Sequence, residues 1–205
     1  MITIIKRNGR TEPLDITKIQ KYTAAAVKGL TNVSQSELEV DAQILFRDGI
    51  TSQEIQKTLI KTAVDKIDID APNWTFVASR LFMFNLYHQV NSFTGYCTLE
   101  KYFKRGEKAG RLMLGLGDMY DLERLDKHIK PERDMLFNYL GVKTLYDRYL
   151  IKDKDSRPIE LPQHMFMAIA MFLAQREENK HEWAIKFYDM ISQFQVMLAT
   201  PTLSN

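Results

Sequence analysis

The sequence predicts a mainly α-helical protein with a small N-terminal β-hairpin, on three observations. A single hairpin signal, Asn8-Gly9, stands between two short extended runs within residues 2 to 14. From Ile16 onward apolar residues recur at helical spacing in segment after segment. Only Val196 to Ala199, near the C-terminus, has strand character, and no hairpin partner is in sight.

Asn8-Gly9 supplies two residues that tolerate positive φ, which predicts a tight primed turn, and Pro13 ends the second strand. Asp15 can cap a helix reaching about Leu30, on which Ile16, Ile19, Tyr22, Ala26, Val27 and Leu30 share a face. A second helix is expected over Ser36 to Phe46, with Asp48-Gly49 as the break after it. Thr51-Ser52-Gln53-Glu54 fits a capping box opening a third helix, with Ile55, Leu59, Ala63 and Ile67 along one side. A fourth helix should begin near Pro72 and carry Trp74, Val77, Leu81, Phe84 and His88.

Asn91 to Gly95 is polar and contains glycine, so it marks the boundary between a unit at 1–91 and another at 92–205. Further helices are expected near 98–109, 119–129, 132–150, 162–177 and 181–195. The run Met165 to Ala174 is wholly apolar and reads as a helix buried on all sides. An unpaired strand and so apolar a helix both call for neighbours, from which further partner sequence is expected.

At 205 residues, with 45% hydrophobic and 26% charged residues, the chain has the make-up of a folded protein with room for two small units. A net charge of +2 gives no global field favouring nucleic acid or an anionic membrane, so any anion site must be local. The apolar run is shorter than the roughly 20 residues a bilayer span needs. Cys97 is the one cysteine, which excludes an internal disulfide or a multi-thiolate zinc site and suits a reducing cytoplasm.

Lys6, Arg7 and Arg10 cluster at the hairpin, with Lys18 following on the first helix. Such a group can hold a phosphate chain, lysine as a point charge and arginine as a fork, or can be a solvated basic edge that discourages aggregation. Glu12 and Asp15 could accept hydrogen bonds from a ribose or an adenine amino group; a strand-end ion pair and a helix cap are their structural alternatives. No Gly-rich phosphate loop is present. His88, His128, His164 and His181 lack metal-binding spacing and are expected at polar surfaces or helix ends, with Cys97 partly buried and inert. No catalytic pair and no metal site can be named.

Longer strings carry a resemblance. Ile4-Ile5-Lys6-Arg7-Asn8-Gly9-Arg10, Glu12-Pro13-Leu14-Asp15, Lys18-Ile19, Asp48-Gly49-Ile50, Ala71-Pro72-Asn73-Trp74 and Ala78-Ser79-Arg80-Leu81 resemble the ATP cone, the regulatory module at the front of many ribonucleotide reductases. Glu132 to Met135, Asn138 to Leu145, Arg148 to Leu150, Leu161 to Met167 and Ala199 to Ser204 resemble the helical entry to the catalytic domain of the class I large subunit.

The resemblance implies an ATP cone followed by the helical start of a ten-stranded α/β barrel, cut or split at its first barrel strand. It implies ATP as activator and dATP as inhibitor of ribonucleotide reduction, with Mg2+ accompanying the nucleotide. Lys6 and Arg7 would contact phosphates, Glu12 and Asp15 the sugar and base, Lys18 would reach the nucleotide from the first helix, and Ser52 would act near the third helix N-terminus. His88 departs from the family pattern, which has a lysine there in several relatives, so phosphate affinity would be weaker or pH-dependent. Thr200 matches a position that helps hold the substrate diphosphate.

The catalytic cysteines of the family match nothing here, so this chain alone would be inactive. The implied partners are the remainder of the large subunit, a radical-generating small subunit, a second large subunit and nucleotide-dependent higher oligomers, with no nucleic acid and no membrane. Two other functions compete. A nucleotide-sensing transcriptional regulator would need a zinc ribbon of four cysteines before the cone, and none precedes it. A helical interaction module with an inert cone has no sequence feature against it.

Overall fold

The computed structural model describes residues 2–92 and 95–204, so Phe93 and Thr94 of the expected boundary, and Asn205, lie outside the described residues. The chain forms two compact units: residues 1–85 with 137–142, and residues 86–136 with 143–205.

The first unit opens with β1 (Thr3–Ile5) and β2 (Thr11–Pro13), antiparallel with Ile4 opposite Glu12. The turn between them differs from expectation. Gly9 N donates to Lys6 O at 2.9 Å and Lys6 N to Arg10 O at 2.8 Å, and only Gly9, at φ 81°, is left-handed. The loop is therefore a type I turn over Arg7 and Asn8 closed by a left-handed glycine, rather than a two-residue primed turn. Asn8 keeps an ordinary φ because its side chain has another use: Oδ1 accepts from Arg10 N at 3.1 Å.

The hairpin is also part of a three-stranded sheet, ordered β2-β1-β3, whose third strand β3 (Ile50–Thr51) runs parallel to β1. Asp48 ties it in place, its Oδ1 accepting from Thr3 N at 2.8 Å and Thr3 Oγ1 at 2.6 Å, while Gly49 N donates to Thr3 O at 3.0 Å. The expected Asp48-Gly49 break is thus a sheet-forming corner.

Helices cover this sheet. α1 (Ile16–Val27) starts at the Asp15 cap, whose carboxylate accepts from Thr17 N at 3.0 Å. α2 (Gln35–Gln43) is capped by Ser34, and α3 (Ser52–Asp65) by the Thr51–Glu54 capping box, both halves of which are formed. α4 (Trp74–Asn91) follows Pro72 as expected. Ile4, Ile19, Leu38, Ile50, Leu59 and Trp74 meet in one buried core, so each amphipathic face points inward. Residues 137–142 return to this unit: Tyr139 N donates to Thr75 Oγ1 at 3.2 Å, and its ring meets Phe82 edge-on at 6.2 Å.

The second unit is helical: α5 (Leu99–Lys108), the short α6 (Leu122–Asp126), α7 (Tyr139–Arg148) from residue 143 on, its first four residues belonging to the first unit, then α8 (Pro162–Ala174), α9 (Lys180–Ser192) and α10 (Thr200–Ser204). Two expected long helices are broken. Asp121 caps α6 afresh, accepting from Arg124 N at 3.0 Å, and Pro131–Leu136 winds as 3-10 helix before α7. Residues 196–199 form no strand; they are irregular, with Met197 85% exposed, and nothing among the described residues offers them a ladder partner.

α8 is buried as its composition requires, and the unit itself supplies much of the cover, α9 packing along it. Phe172 and Leu173 alone among its large apolar residues are exposed.

Candidate functional site

Parallel pairing sets the site. With Ile5 opposite Thr51, the chain enters α3 at Ser52 beside the point where β1 hands over to Lys6. The open N–H groups and positive dipole end of α3 therefore lie next to the basic turn.

Glu12 is the centre of the charged group. Its Oε1 lies 3.1 Å from Lys6 Nζ and 3.6 Å from Lys18 Nζ, and Lys18 Nζ also lies 3.7 Å from Asp15 Oδ2. The Lys6 ammonium, with Lys18 behind it, holds the Glu12 carboxyl below its usual range. Asp15 is likewise lowered, chiefly by the Thr17 hydroxyl, which donates to Oδ1 at 2.6 Å. Both remain ionised at neutral pH, so they orient the lysines while leaving them partly exposed.

Arg7 is held differently. Nη2 donates to Gln56 Oε1 at 2.7 Å and to Asn85 Oδ1 at 2.9 Å. Gln56 Nε2 donates in turn to the Tyr22 hydroxyl at 3.4 Å, which donates to Leu81 O at 3.4 Å. Burial raises the Tyr22 phenol well above its ordinary range, so it stays neutral beside the guanidinium.

Lys6, Arg7, Glu12, Asp15, Lys18 and Ser52 are therefore all in the first unit, with Lys6, Glu12, Asp15 and Lys18 linked by direct ion pairs. Ser52 is the half-buried first residue of α3, one place after the capping Thr51. His88 lies in the last turns of α4, half-buried, in the second unit. Thr200, also in the second unit, opens α10, its hydroxyl 2.9 Å from that of Tyr149.

Sequence reasoning missed Tyr22, Gln56 and Asn85. Two were within reach, since Tyr22 follows Lys18, and Gln56 follows Ser52, by four residues on the same helix and so on the same face.

The second unit holds a separate buried polar network. Asp134 accepts from the Tyr87 and Tyr96 hydroxyls, each at 2.6 Å, and from Gln163 Nε2 at 2.8 Å; burial raises its carboxyl to about 6. Glu160 accepts from the Tyr102 hydroxyl and from Ile151 N, and burial raises it to about 7. His164, expected at a surface or helix end, is in the first turn of α8 but buried, stacked on Tyr102 at 4.7 Å. Burial pushes its imidazole down to about 3, leaving it neutral with Nε2 3.0 Å from Cys97 O. The apolar sequence around His164 marks burial, which outweighs the usual polarity of the residue. Cys97 is half-buried and its thiol raised by burial, the opposite of a reactive thiolate.

Among the described residues no group of His, Cys, Asp and Glu is arranged to hold a metal ion, and no helix is long and apolar enough to cross a membrane.

Two family models match the chain. Residues 2–89 match the family model for the ATP cone domain, and residues 135–205 that for the ribonucleotide reductase all-alpha domain. Over 205 residues the chain is 65% identical to ribonucleoside-diphosphate reductase subunit alpha of Helicobacter pylori, covering 100% of this chain and 26% of that protein. It is 32% identical over 210 residues to ribonucleoside-diphosphate reductase 1 subunit alpha of Escherichia coli, covering 99% of this chain and 28% of that protein. The Haemophilus influenzae subunit alpha is 30% identical over 209 residues, with 99% and 28% covered. The chain thus spans about a quarter of the length of these relatives.

Proposed function

We propose that the chain, which matches the ATP cone and ribonucleotide reductase all-alpha domain models and is similar throughout to alpha subunits, is the N-terminal polypeptide of a ribonucleoside-diphosphate reductase alpha subunit, binding ATP as activator or dATP as inhibitor. The nucleotide would regulate reduction of ribonucleotides to deoxyribonucleotides, chemistry performed elsewhere in the subunit. One observation carries the reading: within the ATP-cone match, two lysines converge on Glu12 beside Arg7 and the start of α3.

In this reading Lys6, Arg7 and Lys18 take the phosphates, with Ser52 and the α3 N–H groups contributing at the helix start. Glu12 and Asp15 serve the sugar and base. Mg2+ would accompany the nucleotide. His88 would contribute where several relatives carry lysine. Residues 1–91 act as the cone and 92–205 as the helical part of the catalytic domain, Phe137–Val142 of the latter packing within the first compact unit. Thr200 would supply part of a substrate site.

The partners are then the remainder of the large subunit, a radical-generating small subunit and a second large subunit, in the cytoplasm. Calorimetric titration of ATP and dATP into the 205-residue chain tests the reading. Saturable binding of both, each displacing the other, is expected. Binding of neither leaves a helical assembly module with an inert cone.

A further inference from the structure

The cations of the hairpin are held by two kinds of partner. Lys6 and Lys18 face carboxylates, whereas Arg7 makes no ion pair among the described residues and is gripped by two neutral amide oxygens. Those amides come from separate helices, Gln56 on α3 and Asn85 on α4, 49 and 78 residues away in sequence. Arg7 sits at an exposed turn, where a long side chain ordinarily samples many rotamers. Two convergent acceptors remove much of that freedom.

The chemistry of the acceptor decides what remains. A carboxylate would fix the guanidinium and offset its charge for an incoming anion; an amide oxygen fixes it and leaves the charge whole. Gln56 is itself braced by the Tyr22 hydroxyl, and the Tyr22 ring meets Phe84 edge-on at 5.2 Å. Both Nη2 hydrogens go to the amides, leaving those of Nε and Nη1 for a ligand.

We propose that Gln56 and Asn85 are positioning residues, a neutral clamp that holds Arg7 in place and fully charged for a nucleotide phosphate. The proposal rests on the reading of the hairpin as an ATP/dATP site. Pre-ordering the arginine removes an entropic cost that binding would otherwise carry. It also joins α3 and α4 through one side chain at the turn, so that a phosphate drawing on Arg7 acts on both helices.

The test is a calorimetric cycle on the full chain with ATP and inorganic triphosphate as probes, comparing the unsubstituted protein, Q56A/N85A, R7A and the triple variant. Q56A/N85A should weaken both probes about three- to tenfold, and that loss should vanish when Arg7 is already absent. Q56E, which keeps the shape and the acceptor but adds a negative charge, should weaken both probes as well; if Q56A/N85A fails to fold, this variant carries the test. Unchanged affinity in Q56A/N85A or in Q56E, or equal loss with and without Arg7, overturns the clamp. Failure of the unsubstituted chain to bind ATP overturns the nucleotide site itself, and the clamp with it.

Discussion

Ile5 and Thr51 lie opposite each other in parallel register, and this pair brings the N-terminus of α3 beside the basic turn. Thr51 serves two structures at once, closing the short strand β3 and capping the helix that leaves it, with Oγ1 accepting from Glu54 N at 3.1 Å.

Thr51→Ala should therefore lower the stability of the first unit by about 1 kcal/mol, the usual worth of an N-cap hydroxyl. Urea unfolding of the chain, followed by Trp74 fluorescence in a W183F background, measures it. Thr51→Ser, which keeps the hydroxyl, should recover most of the loss.

Gly9→Ala places a side chain at φ 81°, where no neighbour lies within 4 Å of the added Cβ. The cost is one of backbone conformation, about 1 to 2 kcal/mol, and Gly9→Asn should cost less because asparagine tolerates the left-handed region. Equal melting temperatures for the alanine and asparagine variants would sink this account of the turn.

Lys6→Ala breaks the ion pair with Glu12, both partners of which are about one-third exposed. Such pairs contribute little to folding, so the melting temperature should scarcely move. ATP affinity should fall roughly tenfold, and its dependence on salt should flatten. Loss of stability with unchanged affinity would assign Lys6 to the fold alone.

Glu160 should make the second unit less stable as pH rises. Its carboxyl is raised from 4.5 to about 7 by burial, so the folded state takes up a proton that the unfolded state has already lost over that interval. The stabilisation is full below pH 4.5 and is lost as pH rises through about 7. Glu160→Gln, neutral at every pH and able to hydrogen-bond both Tyr102 and Ile151 N, should flatten the profile and be more stable than the parent at pH 8. Trp183 fluorescence in a W74F background reports the unit concerned. A steeper profile in the variant would contradict the buried-carboxyl account.

Features written in neighbouring residues were legible in the sequence. The Asp15 cap and the Thr51–Glu54 box each depend on side chains within three residues, and the helices they start are where the pattern places them. β3 was not legible, because two residues show no alternation and their place is fixed by Asp48 and Thr3, 45 residues apart. The charged residues of the candidate site stood out as charge, whereas Gln56 and Asn85 carry none and reach Arg7 only through the fold. His164 was misjudged because its surroundings, Tyr96, Tyr102 and the Cys97 carbonyl, come from elsewhere in the chain.

The return of residues 137–142 to the first unit bears on how the chain is made. A ribosome delivers residues in order, and domains generally fold as they emerge. Here the sheet, α1, α2 and α3 are all out long before Tyr139, whose amide and ring close against Thr75 and Phe82. The N-terminal unit therefore gains these contacts only after some fifty residues of its neighbour are synthesised. A messenger or a cloning boundary that stops at residue 91 delivers that unit without its last piece.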